Sequence, residues 1–389
     1  MNRIISFIAL FLLVFDLKLV GSLGSAFLTF ILCGLIFLLN PKKYLSNMKN
    51  VVSCFSTFIL FFLILILYVS IRILFNGAED LSYLLTMSKT TLILISSFLY
   101  LTVFYKEDFE KDFINVFFVN ACICLVFGSF YELKDYLTIF QYGGEDTNEL
   151  LGGNLYRNAF LAGSGFFGIS SLYAVAFTFC LKVIVDTEEK NTFNYLKLLI
   201  IAIAGMFAGR VALVCYLLAI IYFSIIKINL KILLLSIFSI IAFIFIINNF
   251  YIFDGVKDWF DEMFLNKGVR NSESVSDFKR SFIMPTNEIT LIFGDAKYAS
   301  NGTYYGGSDS GYIRNMYFGG IFFLFLMFLS FFSMFKSIKN IMFIYLIVFI
   351  MLFLHFKGAF IFNNPGFFGV VGVICIYFYK KSINVKSGI

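Results

Sequence analysis

Apolar runs recur from one end of this chain to the other, and nothing constrains its fold more. Runs of about 18 or more apolar residues follow one another with short polar breaks between them, which is the length needed to cross a hydrocarbon core of about 30 Å. The chain has 389 residues, 60% of them hydrophobic and only 14% charged, with a mean hydropathy of +0.90. A water-soluble domain of this size has no core large enough to hide that surface. The pattern predicts an all-α fold: a polytopic membrane helical bundle over 1–389, with about 12 transmembrane helices.

The expected spans are 4–20, 23–39, 51–74, 82–104, 113–131, 166–185, 194–209, 211–226, 231–252, 312–335, 340–356 and 361–379. The N-terminal stretch is read as the first span and not as a signal peptide, because no small-residue cleavage site precedes Asp16 and Lys18. Residues 194–226 form about 32 mostly apolar positions broken only at Gly209-Arg210. One helix of that length would run about 48 Å, so two short helices meeting at Arg210 are expected.

Lysines test the count. With both termini cytoplasmic, each expected inner segment carries at least two, among them Lys42, Lys43 and Lys49, then Lys336 and Lys339, as the positive-inside rule requires. Two long loops then fall on the outer face, at about 132–165 and 253–311. The second holds an expected amphipathic helix near 254–266, with Val256, Trp259, Phe260, Met263 and Phe264 on one side. Loops of that size usually carry function.

All seven cysteines lie inside apolar runs, so neither a disulfide framework nor a thiolate metal site is expected. There is no Asp-x-Asp, no histidine cluster and no Walker loop, so no metal or cofactor is expected, and nothing suggests nucleic acid. The chemistry-bearing candidates lie on the expected outer side. Arg157 precedes a span, Arg210 tips a helical pair, and Arg314 lies one turn into the span after SDSGY. Arginine keeps its charge almost anywhere and offers a bidentate fork to phosphate oxygens; the alternative is that each snorkels or pairs locally. Asp309 has three readings: general base, N-cap of the span at 312, or ion-pair partner of Arg314. Glu288 is a further acid/base candidate. Tyr312 belongs to the same polar-to-apolar boundary, and His355 and Lys357 close a span.

The segment 289–320 reads LIFG, a Gly/Tyr-rich spacer, then SDSGYIRNMYFGGI running straight into a span. It resembles the end of the large outer loop of bacterial O-antigen polymerases of the Wzy type and their capsule and exopolysaccharide relatives. Arg157 followed by Gly168, Arg210 in AGRVAL, and the large loop before the last three spans are also similar to that family. The resemblance implies an integral-membrane glycosyltransferase of the bacterial cytoplasmic membrane that polymerises repeat units carried on undecaprenyl pyrophosphate. It implies Arg210, Arg314 and Asp309 as catalytic, with Arg157, Tyr312, His355, Lys357 and Glu288 toward substrate. The implied partners are the lipid-linked oligosaccharide, the lipid bilayer, a chain-length regulator and a flippase. An O-antigen ligase and a lipid-linked sugar transporter are the alternatives; the ligase branch would favour a catalytic histidine near the last spans.

Overall fold

The computed structural model describes residues 2–21, 23–104, 109–142, 159–186, 192–209, 211–227, 282–300, 303–336, 342–364 and 366–380, together with 241, 257, 261 and 338. The helices in chain order are α1 (Asn2–Phe15), α2 (Ala26–Leu39), α3 (Pro41–Cys54), α4 (Ser56–Phe75), α5 (Ser82–Phe104), α6 (Phe109–Ser129) and α7 (Tyr131–Thr138). They continue with α8 (Phe166–Asp186), α9 (Thr192–Ala208), α10 (Val211–Lys227), α11 (Glu288–Phe293), α12 (Gly311–Met334), α13 (Met342–Lys357) and the π-helical α14 (Phe367–Cys375). Among the described residues the regular structure is helical apart from strands of two or three residues.

Five of these helices are long and apolar enough to cross a membrane: α4, α5, α6, α8 and α12. Six of the other expected spans coincide with apolar helices of 10–17 residues, which at 1.5 Å per residue fall short of a full hydrocarbon core. Of the span expected at 231–252 only residue 241 is described, and of the amphipathic helix expected near 254–266 only residues 257 and 261. Helix α4 shows why the chain is built for lipid. Phe58, Phe62, Leu65, Val69 and Ile73 are buried on one face, while Leu60, Leu63, Leu67 and Leu74 are exposed on the other. A helix apolar on both faces is at home in hydrocarbon rather than in water.

Contacts divide the chain into two compact units. In the unit that contains 110–277, α9 and α10 both pack on α8. The expected pair of short helices is present, with α9 ending at Ala208 and α10 beginning at Val211. The Ser170 hydroxyl donates to the Gly209 carbonyl between them at 2.8 Å. The same unit holds Asn120, which donates to the Leu161 carbonyl at 2.7 Å.

In the other unit α5 is the central helix, touched by α1, α2, α3, α4 and α14. Three expected spans begin or end elsewhere than the hydropathy suggests. Helix α1 stops at Phe15 because Asp16 adopts φ +40°. Asp16 is buried, pairs with Lys89 of α5 at 2.8 Å and accepts from the Ala26 amide at the start of α2 at 3.2 Å. The run 51–74 is broken at Phe55, so that 41–54 forms a separate polar helix. The last helix starts at 367 rather than 361, since the backbone before it is spent on a turn over His355.

Candidate functional site

The connector 76–81, the segment around Gly294–Ala299 and the turn after α13 meet at one end of this unit. The Asp80 carboxylate accepts from the amides of Tyr298 at 2.6 Å and Ala299 at 2.9 Å, and its other oxygen accepts from the Ser82 amide at the start of α5. Burial opposes ionisation of Asp80, but these hydrogen bonds outweigh it and hold the carboxyl below its ordinary value. Arg72, in the last turn of α4, donates to the Gly294 carbonyl at 2.6 Å, and Asn363 donates to the Tyr298 hydroxyl at 2.7 Å.

The helix that delivers Arg314 is broken to do so. Gly320 has φ +68° and ψ −167°, which ends the helical ladder of α12 after its first nine residues. The carbonyls freed by the break need other donors, and within an apolar bundle they must find them in protein. The Tyr317 carbonyl accepts from the Asp295 amide at 2.7 Å, and the Phe318 carbonyl from the Ala296 amide at 2.8 Å. The Gly319 carbonyl accepts from the Tyr68 hydroxyl at 2.7 Å. Gly294, at φ +72°, sits so close to the Phe318–Gly319 backbone that a Cβ there would collide with it; one on Gly320 would strike the Ile292 carbonyl. Two glycines thus let α11 lie backbone to backbone against the break.

Arg314 projects from the short first half of α12 into a tyrosine cage. Its guanidinium carbon is 4.3 Å from the Tyr298 ring centre and 3.4 Å from that of Tyr304. The two rings come from either side of a small hairpin in which Ala299 pairs with Tyr304. Behind Tyr298 stands Tyr83, edge-on at 4.7 Å and stacked on Phe318 at 4.4 Å. Burial pushes the Tyr298 hydroxyl up to about 12 despite the opposing pull of Arg314.

Arg314 is only 8% exposed, yet its guanidinium makes no ion pair or hydrogen bond with a described residue, and its Nε is buried without a partner. Removing a cation from water costs several kcal/mol, whereas each cation–π stack returns about 0.5–2 kcal/mol. Two tyrosines leave the charge incompletely compensated. Other buried polar atoms at this end are also unmatched: Arg72 Nε, Tyr83 OH, Ser310 Oγ and Asn363 Oδ1. Each unmatched buried group costs about 1–3 kcal/mol, so this end of the unit holds hydrogen-bonding capacity that the described residues leave unspent.

Two of the readings weighed for Asp309 are not realised. Ser310 occupies the N-cap position of α12 without a side-chain cap bond, and Asp309 forms no ion pair with Arg314. Its carboxylate is exposed and bonds to no described residue, five positions ahead of the arginine. The Tyr312 hydroxyl donates to the Leu352 carbonyl at 2.9 Å. Glu288 is exposed at the first turn of α11, and Lys357 is half-buried at the end of α13. Arg157 and Arg210 lie outside the described residues.

His355 is fully buried. Its Nδ1 accepts from the amides of Phe360 and Ile361, both at 3.1 Å, so the ring proton resides on Nε2. The Asn315 amide meets Nε2 at 3.1 Å and satisfies that proton when its otherwise unpartnered oxygen is turned toward the ring. Both nitrogens are therefore spent on holding the turn after α13 against the arginine-bearing half-helix. Gly311 allows the approach, since a Cβ there would meet the imidazole.

Hydropathy and charge singled out Arg314 and Asp309 but not Tyr298, Tyr304, Asp80 or Arg72. Among the described residues no group of histidine, cysteine and acidic side chains could hold a metal ion. No family model, no curated protein and no solved structure matches this chain.

Proposed function

We propose that this chain is an integral-membrane glycosyltransferase that joins lipid-linked oligosaccharide repeat units into a polymer at the outer face of a bacterial cytoplasmic membrane. The observation that carries the reading is the caged guanidinium of Arg314, which has no ion pair among the described residues, with an exposed carboxylate, Asp309, five positions before it in the chain. The donor is a glycan on undecaprenyl pyrophosphate, and the acceptor is a hydroxyl of one lipid-linked repeat unit. As the acceptor oxygen bonds to the anomeric carbon, the bond from that carbon to the pyrophosphate oxygen breaks and the electron pair leaves with the phosphate. Asp309 takes the acceptor proton, and Arg314 stabilises the charge gathering on the departing pyrophosphate. The planar fork suits that oxyanion better than a point charge would. Arg157 and Arg210 are further cations for the same reaction on the strength of the sequence resemblance alone.

The ligase alternative calls for a histidine free to act. His355 spends both ring nitrogens on protein partners, which favours polymerisation over ligation.

The test is a strain lacking the chromosomal gene and complemented with variants. Arg314→Ala and Asp309→Asn are expected to leave single repeat units on the acceptor lipid with no long-chain glycan. Normal chain-length ladders from both variants would remove the basis of the assignment.

A further inference from the structure

Helix α3 occupies a stretch that hydropathy folds partly into a membrane span, and it does not behave as one. Tyr44, Met48 and Val51 turn toward the bundle while Lys42, Lys43, Leu45, Lys49 and Val52 are exposed. Its inner face is fixed on the C-terminal end of α5: Asn47 donates to the Thr102 carbonyl at 3.3 Å, and the Thr102 hydroxyl donates to Met48 Sδ at 3.4 Å. Just past the helix, the Phe55 ring stacks on Phe98 at 5.6 Å.

At 100° per residue, the apolar positions occupy one continuous arc from Val51 through Met48 to Leu45 and Val52. The lysines and small polar residues fill the remainder. The helix contains no acidic residue. The same end of the unit gathers further positive charge. Lys380 donates to the Cys54 carbonyl at 3.0 Å, and Lys336 to the Thr57 hydroxyl at 3.4 Å, at the start of α4. In this unit the described carboxylates are Glu79, Asp80, Asp295 and Asp309 in the connectors of the opposite end, Glu288 at the start of α11, and Asp16 at the break after α1. An apolar flank beside lysines that form no ion pair with a described residue is the chemistry of a helix lying in an anionic lipid surface.

We infer that α3 is an interfacial helix that seats this end of the protein on anionic phospholipid headgroups, with Leu45 and Val52 in the acyl boundary and Lys42, Lys43 and Lys49 on the phosphates. The inference is independent of the glycosyltransferase reading and needs no activity to test.

The purified full chain in detergent is titrated with phosphatidylglycerol or phosphatidylcholine, and retained lipid is counted by native mass spectrometry. Phosphatidylglycerol is expected to be retained preferentially. Replacing Lys42, Lys43 and Lys49 by Gln lowers that preference by about fivefold per lysine, while their replacement by Arg preserves it. In parallel, Leu45→Trp in a Trp259→Phe background is reconstituted in vesicles containing brominated phosphatidylglycerol. Its fluorescence is expected to be quenched by the bromolipid more than by aqueous iodide. Equal retention of the two lipids by the native protein overturns the inference, and so does a residue-45 indole open to iodide and untouched by bromolipid. The last measurement keeps all three lysines, so it decides the matter even if the Gln variant fails to fold.

Discussion

Arg314 and Tyr304 form the closest cation–π contact of the site, with the guanidinium carbon 3.4 Å from the ring centre. The two walls of the cage differ in kind. Tyr298 is 7% exposed and fixed by Asn363, whereas Tyr304 is 45% exposed. Tyr298 is therefore the buried floor of the cage and Tyr304 its solvent-facing wall. Tyr304→Phe should leave polymer formation near wild type, because the π face remains. Tyr304→Leu should weaken substrate binding by about 0.5–2 kcal/mol, the value of one stack, read as a raised KM for the lipid-linked donor with purified protein.

Arg314→Lys tests whether charge alone suffices. A lysine keeps the positive charge but loses the planar stack and the bidentate fork. Turnover is expected to fall about 10²–10³-fold, the usual effect of removing one oxyanion donor, and to fall similarly for Arg314→Ala. Near-normal turnover of Arg314→Lys would mean that the cage geometry is dispensable.

The break in α12 rests on Gly294 and Gly320. Both have positive φ, and a Cβ on either would strike backbone rather than a movable side chain. Gly294→Ala and Gly320→Ala should each lower stability by more than about 1 kcal/mol, the ordinary scale of a glycine replacement in an incompatible conformation. Thermal unfolding in detergent measures this, with Gly77→Ala as the comparison. Gly77 also has positive φ but meets nothing within 4 Å, so it isolates the strain from the collision.

Asp80 ties Tyr298 and Ala299 to the start of α5. Its carboxyl is held below its ordinary value of 3.8, so the folded state binds fewer protons than the unfolded chain. The stabilisation is complete above that ordinary value and is lost as pH falls through the lowered one. Asp80→Asn should cost about 1 kcal/mol at neutral pH, allowing for solvent screening at this half-buried site. It should also flatten the acid side of the stability profile, measured by unfolding midpoints between pH 2 and 7.

The ion pair between buried Asp16 and half-buried Lys89 gives a double-mutant cycle. Lys89→Met takes the cation away from a buried carboxylate and should cost about 3–5 kcal/mol, whereas Asp16→Asn should cost less because Lys89 reaches solvent. The double variant should recover a substantial part of that loss. Strictly additive losses would show that the two residues act independently.

These contacts explain which parts of the molecule could be read from the amino-acid order. Helix α5 spans Ser82–Phe104, matching the expected 82–104, because capping, length and hydropathy agree there. The division at Gly209-Arg210 was equally legible, since a single helix would be too long for a bilayer. The early end of α1 was hidden, because an ion pair to Lys89, distant in sequence, sets the backbone of Asp16. The break at Gly320 was hidden for a related reason: its carbonyls are satisfied by a loop some 25 residues earlier. At the site, Arg314 declared itself as a charge inside an apolar run. Tyr298 and Tyr304 did not, being two among 22 tyrosines. The Asn301-Gly302 pair between them is a hairpin signal that would have brought their strands together.

The central claim is that Arg314 serves the departing pyrophosphate during polymerisation. The most direct measurement incubates purified protein with a synthetic undecaprenyl-pyrophosphate repeat unit and resolves product lengths by gel. The account predicts a ladder from the wild-type chain, and unreacted single units from Arg314→Ala and from Asp309→Asn, whose exposed side chain leaves the fold intact. A full ladder from Arg314→Ala would contradict it.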